Sequence, residues 1–304
     1  MEINYNGFMK AKVCTVVVTY NRLELLKGAI DALRAQSFSS DILVVNNGST
    51  DGTDKYLDSQ KDLHVIHQEN LGGAGGFYTG MKYAAENGYE FAWVMDDDVL
   101  PDVNALKCLK EAYDFLKDKE NVGFLCSTVV NPNGEPVNIP LVDLKRNVTG
   151  YPSWNRHLSD GLVGVSSATF VSVFVPCSII YEVGLPYKEF FIWGDDTEYT
   201  NRISVKFPSF LVGSSVITHL RNGGAIDLLT LKDKNRIKMY RYSIRNKLFN
   251  SRYCPFKERL IDYLWVFVVI GRLLRRGAFY KLTIVVRGIV EGLYFNPKIQ
   301  YPQR

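Results

Sequence analysis

The chain has 304 residues, 46% of them hydrophobic and 22% charged, which is enough for one large α/β domain with an appendage or for two modest domains. Its formal net charge of +4 at pH 7 is too small to indicate a nucleic-acid partner. The five cysteines form no C-x-x-C pair and the four histidines show no zinc-site spacing, which favours reduced thiols in a cytosolic protein. We find no signal peptide and no run of about eighteen uncharged apolar residues, so we expect a cytoplasmic protein without a spanning helix.

Buried strands alternate with helices at the start of the chain. Val13–Thr19 is a β-branched run, typical of a strand that is buried on both faces. Asn21, with Glu24 three residues later, predicts a capping box for the helix that follows. Three further apolar runs are predicted to be strands: Ile42–Val45, His64–Ile66 and Phe91–Met95. The β-α-β-α-β-α-β order predicts a parallel sheet with helices on both faces.

A glycine-rich segment, Gly72–Gly76, precedes a helix that we predict over Phe77–Asn87. The segment matches neither the G-x-G-x-x-G pattern nor the P-loop pattern, so dinucleotide and P-loop binding are disfavoured. Two interpretations remain. The segment is either a plain flexible turn or a backbone that passes close to a ligand or a strand.

Three consecutive carboxylates, Asp96, Asp97 and Asp98, directly follow the predicted strand Phe91–Met95. Adjacent acids repel one another, and ligands bind at the carboxyl ends of strands in open α/β sheets. Oxygen ligands at this density suit Mg²⁺ or Mn²⁺, which also bind the phosphate oxygens of a substrate. The segment therefore predicts a divalent-cation site, against the alternative of a solvated acidic turn before a helix beginning at Pro101.

A second acidic cluster, Asp195-Asp196-Thr197-Glu198, follows Trp193 and begins a predicted helix over Asp195–Lys206. Acids at a helix N-terminus are favoured by the helix dipole, which would explain them without any chemistry. A carboxylate beside a tryptophan also supplies a general base next to a stacking surface. His219 follows two short predicted strands, and it is either structural or a further ligand of the cation.

The composition changes after about residue 226, where basic residues alternate with aromatic and aliphatic ones. The apolar cluster Leu264–Ile270, for example, is followed by Arg272, Arg275 and Arg276. Basic helices that carry aromatic residues can lie in a membrane interface and attract anionic lipid. The alternative is a helical bundle that packs on the preceding domain while its charges are solvated.

Four motifs in this order resemble glycosyltransferase family 2: Val16–Arg22, Val44–Thr53, Asn70–Gly73 and Asp96–Asp98. The resemblance covers roughly residues 13–225 and implies the α/β GT-A fold, a mostly parallel central sheet flanked by helices. It further implies a catalytic domain over residues 1–225, while the change in composition predicts a basic, aromatic helical C-terminal region over residues 226–304. The stretch Trp193–Glu198 is similar to the W-D-D-x-E motif of the galactofuranosyltransferase and rhamnosyltransferase branch, with Gly194 as an extra residue.

The same resemblance implies roles for individual residues. Asp96 and Asp98 would hold Mn²⁺ or Mg²⁺ with His219 as a third ligand, and Asp196 would be the catalytic base. Trp193 and Asp195 would contact the acceptor. The donor nucleotide sugar would be bound by seven residues: Thr19, Asn21, Asn46, Asn70, Gly73, Asp96 and Asp97. Asn46 stands where many members have Asp, so the choice between uracil and thymine stays open.

The resulting prediction is a metal-dependent enzyme that inverts the anomeric carbon of a nucleotide sugar, UDP-galactofuranose before dTDP-rhamnose. Its acceptor is expected to be a glycan, lipid-linked, in the biosynthesis of cell-surface polysaccharides such as O-antigen. An anionic membrane surface at the inner face of the cell membrane is a further expected partner. Two rivals are a nucleotidyltransferase, whose basic glycine-rich signature is missing, and a non-catalytic protein that binds sugar or lipid on the same fold.

Overall fold

The computed structural model describes residues 12–221 and 227–304. The described residues form two compact units. The first unit holds residues 12–188, 196–221 and 299–304, and the second holds residues 189–195 and 227–298. The domain boundary that we predicted between residues 225 and 226 lies outside the described residues.

A mixed sheet forms the centre of the first unit. Its strands within the described residues are β1 (Val13–Thr19), β2 (Asp41–Asn46), β3 (Leu63–His67), β4 (Phe91–Asp96), β5 (Val99–Pro101), β6 (Leu125–Val130), β7 (Leu141–Val142), β8 (Leu162–Ser167), β9 (Val173–Pro176) and β10 (Phe210–His219). Their order is β3-β2-β1-β4-β9-β6-β10-β8-β7, and β5 pairs with β10. The pairs β3–β2, β2–β1 and β1–β4 are parallel, as predicted, whereas β9 is antiparallel to both of its neighbours.

Helices cover both faces of this sheet. They are α1 (Leu23–Arg34), α2 (Thr53–Asp58), α3 (Gly72–Glu86), α4 (Ala105–Leu116), α5 (Cys177–Val183) and α6 (Asp195–Lys206). Every residue of β1 is buried, which confirms the prediction of a strand with two covered faces. Val16 belongs to the apolar cluster on the α3 side and Val17 to the cluster with α1 and α4, since neighbouring strand residues point to opposite faces.

The glycine-rich segment belongs to α3, which begins at Gly72 rather than at Phe77. A Cβ atom on Gly76 would overlap Cγ1 of Val18, and one on Gly80 would overlap Cγ1 of Val16. The glycines therefore let α3 lie directly against β1. Of our two interpretations, the close approach to a strand holds and the flexible turn is wrong.

The predicted capping box at the start of α1 is wrong. Asn21 has a φ of 53°, a left-handed conformation that Asn tolerates, and its Oδ1 accepts a hydrogen bond of 2.6 Å from the backbone N of Thr50. The first amide of α1, at Leu23, is instead capped by Oδ2 of Asp51 at 3.0 Å. The loops after β1 and β2 therefore hold each other.

The segment after the three acids is a strand and not the start of a helix. Val99–Pro101 pairs antiparallel with β10, in a register that places Val99 opposite His219, and α4 begins only at Ala105. The backbone N of Leu220 also donates to the carbonyl oxygen of Asp98 at 2.8 Å. This pairing brings His219 beside Asp98.

The second unit contains three helices among its described residues: α7 (Lys234–Ser251), α8 (Phe256–Arg275) and α9 (Phe279–Tyr294). A Cβ atom on Gly288 would lie only 2.6 Å from the carbonyl oxygen of Arg241, so α9 packs closely on α7. The buried core includes Ile244, Val266 and Val285, one from each helix. None of the helices in the described ranges combines the length and apolar character needed to cross a bilayer.

Candidate active site

Three neighbouring parallel strands end at the same edge of the sheet. The last residue of β1, Thr19, lies opposite Asn46 at the end of β2, and Val18 lies opposite Asp96 at the end of β4. Asp97 and Asp98 follow β4 directly. The predicted acidic segment and two of the predicted donor residues are thus together at the carboxyl ends of the strands, where α/β sheets bind ligands.

Side chains from the end of β1 and from the turn after it hold Asp97 by hydrogen bonds. Its Oδ2 accepts a hydrogen bond of 2.7 Å from the hydroxyl of Thr19, and its Oδ1 accepts one of 3.1 Å from the guanidinium of Arg22. Burial raises the pKa of Asp97, although Arg22 and Thr19 oppose that change. Asp97 therefore ties the end of β1 to the acidic segment.

Asp98 and His219 face each other across a short gap. Oδ2 of Asp98 accepts from Arg22 at 2.8 Å, while Oδ1 lies 3.2 Å from Nε2 of His219 and has no hydrogen-bond partner among the described residues. Nδ1 of His219 lies 2.9 Å from Oδ1 of Asn138, and it acts as the donor because that oxygen only accepts. In the neutral imidazole Nε2 is then an acceptor. Two acceptors face each other, so a cation or an extra proton is needed between them.

Charge accumulates at this edge. Burial raises the pKa of Asp96 well above its usual range, and the charges of Asp98 and Asp97 raise it further. Burial also acts on Asp98, but the hydrogen bond and charge of a protonated His219, with the charge of Arg22, outweigh it, so the pKa of Asp98 is lowered. Asp96 is consequently the acid that gains most from a neutralising cation.

The donor set fits a hard divalent cation. One ligand atom from each of Asp96, Asp98 and His219 lies within 4.8 Å of the other two. Adjacent ligands around an octahedral ion with bonds of about 2.1 Å are roughly 3 Å apart. The 3.2 Å between Oδ1 of Asp98 and Nε2 of His219 is close to that spacing. Together with the unpartnered Oδ1, this geometry matches a site for Mg²⁺ or Mn²⁺.

Asp196 lies at the first turn of α6, whose predicted bounds are confirmed. Its Oδ1 accepts from the backbone N of Thr197 at 2.6 Å and from the hydroxyl of Thr197 at 3.3 Å. Burial raises the pKa of Asp196, and the charge of Asp196 raises the pKa of Asp96. The charge of Asp196 therefore acts on Asp96 of the acidic segment.

The predicted donor residues outside the acidic segment hold loops at the same edge. Nδ2 of Asn46 lies 3.1 Å from Nδ1 of His67, while Oδ1 of Asn46 accepts from the backbone N of Ser49 at 3.1 Å. Oδ1 of Asn70 accepts from the backbone N of Gly72 at 2.9 Å, at the start of α3. Asn21, as described above, holds the loop after β2.

Gly73 differs from Gly75, Gly76 and Gly80 of α3, because a Cβ atom placed on it would meet no atom within 4 Å. The open space lies at the first turn of the helix, whose backbone N–H groups are not used within the helix. A ligand can therefore approach the backbone there closely.

Trp193 and Asp195 belong to the second unit. Trp193 has a φ of 63°, and its indole packs edge-to-face on Tyr240 with ring centroids 6.1 Å apart. The side-chain amide of Asn246 donates to the carbonyl oxygens of Ile192 and Trp193 at 3.0 and 2.8 Å. Asp195 is buried. Their contacts with an acceptor stay predictions.

Two residues of this edge were not predicted from the sequence. Arg22 bridges Asp97 and Asp98, and Asn138 fixes the ring of His219. The role of Arg22 could have been predicted from the sequence, because it lies in the turn after β1 and three adjacent acids need a nearby cation. The role of Asn138 could not have been predicted, because it lies in a stretch without hydrophobic periodicity and 81 residues before His219.

Similarity to solved structures defines the fold. A mannosyltransferase from Pyrobaculum calidifontis, PcManGT in complex with GDP-Man and Mn²⁺, superposes with a TM-score of 0.52 over 94% of this chain and 88% of its own, at 14% sequence identity. GalNAc-T7 with UDP, GalNAc and Mn²⁺ superposes with a TM-score of 0.54 over 77% of this chain and 50% of its own, also at 14% identity. The predicted GT-A fold is confirmed.

Sequence similarity defines the family. The family model for glycosyl transferase family 2 matches residues 14–171, and the chain belongs to that family. Galactofuranosyltransferase GlfT1 of Mycolicibacterium smegmatis is 29% identical over 197 residues, which span 63% of this chain and 65% of the relative. The chain thus matches just under two thirds of that relative's length, and its similarity to a galactofuranosyltransferase agrees with the galactofuranosyltransferase and rhamnosyltransferase branch that we predicted.

Proposed function

We propose that this chain is a metal-dependent inverting glycosyltransferase that moves a sugar from a nucleotide diphosphate to a hydroxyl group of a glycan acceptor. The observation that carries the proposal is the meeting of three ligand atoms, from Asp96, Asp98 and His219, where β4 ends. The charge of Asp196 also acts on Asp96. Membership of glycosyl transferase family 2 supports the proposal that this arrangement serves glycosyl transfer.

In this proposal Asp96, Asp98 and His219 hold Mn²⁺ or Mg²⁺, which when bound would neutralise charge on the leaving diphosphate. Asn138 keeps Nδ1 of His219 occupied, so Nε2 is the nitrogen that faces the acids. Arg22 holds Asp98 through its other oxygen. The protein thus orients Asp98 and His219 before any donor binds.

Asp196 is proposed to take the proton from the acceptor hydroxyl. A new bond forms between that oxygen and the anomeric carbon while the bond from this carbon to the diphosphate oxygen breaks. The proton stays on Asp196, and the single displacement inverts the anomeric centre. The raised pKa of Asp196 supports this role, because it makes the carboxylate a stronger base.

Galactofuranose on UDP is our proposed donor. Support comes from the name of the M. smegmatis relative, a galactofuranosyltransferase, and from UDP in the GalNAc-T7 structure, which shares the fold. We place Thr19, Asn46 and the backbone at Gly73 around the nucleotide, and Trp193 and Asp195 around the acceptor. The acceptor that we propose is a lipid-linked glycan of a cell-surface polysaccharide.

Thermal unfolding with UDP, dTDP and GDP, each with and without Mn²⁺, tests the donor site. We expect UDP to stabilise the chain only when Mn²⁺ is present. Stabilisation by dTDP alone would instead indicate dTDP-rhamnose as the donor. If no nucleotide stabilises the chain, the transferase proposal fails.

Asp196→Asn tests the catalytic role. We expect transfer from UDP-galactofuranose to fall by about 10²- to 10⁴-fold while stabilisation by UDP and Mn²⁺ is kept, because the base acts on the acceptor. Asn201→Ser, an exposed change on the same helix, is the matched control and should leave transfer unchanged. Equal rates for both variants would rule out Asp196 as the base.

A further inference from the structure

Helix α8 carries an apolar stripe on its outer side, formed by Phe256, Leu260, Leu264, Phe267 and Leu274. The residue spacing of four, four, three and seven places all of them on one side of an α-helix. They are between 46% and 76% exposed. The opposite side of α8 is the one that packs, because Val266 and Leu273 are buried in the core of the second unit.

Helix α9 repeats the pattern. Its exposed residues Phe279, Val286, Val290 and Leu293 are spaced by seven, four and three, while Ile284 and Val285 are buried on the other side. Only three residues, 276–278, connect α8 to α9. We call the two outer sides together the hairpin surface. Large exposed apolar surfaces of this kind mark sites of interaction.

Positive charge is concentrated where the two helices connect. Arg272, Arg275, Arg276 and Lys281 lie within ten residues that contain no acid. Two of the three acids between residues 256 and 294 are already paired, Asp262 with Lys247 at 2.5 Å and Glu291 with Arg287 at 2.7 Å. The hairpin therefore has a basic end next to its exposed apolar stripes.

We propose that the hairpin surface docks on an anionic lipid surface. The apolar stripes would enter the boundary between headgroups and acyl chains, and the arginines at the basic end would contact lipid phosphates. Charge complementarity favours anionic lipid over the same surface of a second copy, because two of the three acids between residues 256 and 294 are already paired and could not balance the basic end. A free phosphate would leave the apolar stripes exposed. This inference does not depend on the proposed sugar transfer.

Co-sedimentation of the full chain with vesicles tests the docking. We expect binding to phosphatidylcholine vesicles that contain about one third phosphatidylglycerol, and much weaker binding to phosphatidylcholine alone. Replacing Arg272, Arg275 and Arg276 together by Gln should weaken binding to the anionic vesicles by about a hundredfold, since each basic residue near the surface contributes about a factor of five.

The apolar contribution is tested by Leu264→Ser combined with Phe267→Ser, which should weaken vesicle binding by about tenfold or more. The control is Leu158→Ser in the first unit. Leu158 is 52% exposed, almost the same as Leu264 at 53%, so it matches the leucine part of the double change. All variants should keep the melting temperature of the parent chain, because the altered side chains are exposed.

Three outcomes would overturn the docking proposal. One is a wild-type chain that stays in solution with both kinds of vesicle at low salt. Another is equal vesicle binding by the Leu264/Phe267 variant and the Leu158 control. The third is a chain that dimerises in solution and becomes monomeric in the Leu264/Phe267 variant, which would assign the surface to a second copy. Stabilisation by UDP and Mn²⁺ is a separate readout, so this proposal and the proposed function can fail independently.

Discussion

Asp96→Asn should stabilise the chain in the absence of metal and remove its response to metal. Asp96 and Asp98 offer ligand atoms within 4.8 Å of each other. Two unit charges at that distance repel by about 3.5 kcal/mol at an effective dielectric constant of about 20. The attraction of Asp96 to Arg22 offsets part of this repulsion, so we expect a net gain of about 1–2 kcal/mol when the charge is removed.

Thermal unfolding with EDTA measures the stability without metal, and thermal unfolding with Mn²⁺ measures the response to metal. For a domain of this size, 1 kcal/mol corresponds to about 2–4 °C, so the metal-free variant should melt a few degrees above the wild type. Mn²⁺ at about a hundred times its dissociation constant should stabilise the wild type by about 2.7 kcal/mol, and it should leave the variant unchanged.

The stability difference between Asp96→Asn and the wild type should change with pH in a defined direction. The pKa of Asp96 is raised in the folded chain, so the folded state takes up a proton at a higher pH than the unfolded state does. The advantage of the metal-free variant should therefore be largest above that raised pKa and shrink as the pH falls through it. Asp118→Asn, an exposed change outside the site, serves as the control. A variant that is less stable without metal, or that still responds to Mn²⁺, would refute the reasoning.

Three further changes test the packing around the site. Thr19→Val removes the hydroxyl that donates to buried Asp97, and it should cost about 1–3 kcal/mol in urea unfolding; a loss below 0.5 kcal/mol would contradict the contact. Gly76→Ala should destabilise the chain by about 1–3 kcal/mol because its Cβ overlaps β1, whereas Gly73→Ala, in open space, should be nearly neutral by the same measurement. Asn246→Ala leaves the carbonyl oxygens of Ile192 and Trp193 without their side-chain donor, while that of Phe190 keeps Arg245, and it should lower the melting temperature by several degrees; an unchanged value would argue against these contacts.

The sequence was sufficient where local pattern and tertiary structure agree. The β-branched run of β1 is buried throughout, and the apolar run before Asp96 is a buried strand whose end carries the acids. Both predictions depend on residues that are adjacent in the sequence. The mostly parallel order of the first four strands follows from the same alternation of apolar runs and helices.

The sequence was insufficient where contacts between residues that are distant in the chain determine the local structure. Gly72–Gly76 has the composition of a turn, yet α3 includes it because glycine fits against Val16 and Val18. Asn21 resembles a helix cap, yet it has a left-handed conformation and its side chain accepts a hydrogen bond from the loop after β2. A local pattern cannot indicate which distant segment will be close enough to change it.

Arg22 gives the acidic edge a counter-charge that is part of the chain itself. With all three aspartates ionised, Asp96, Asp97 and Asp98 carry three negative charges, and the guanidinium that bridges two of them removes one. The two charges that remain equal those of a single divalent ion. The edge is therefore partly neutralised by the chain itself, which lowers the electrostatic cost of folding without metal, and the charge that remains matches that of the divalent ion in the proposed site.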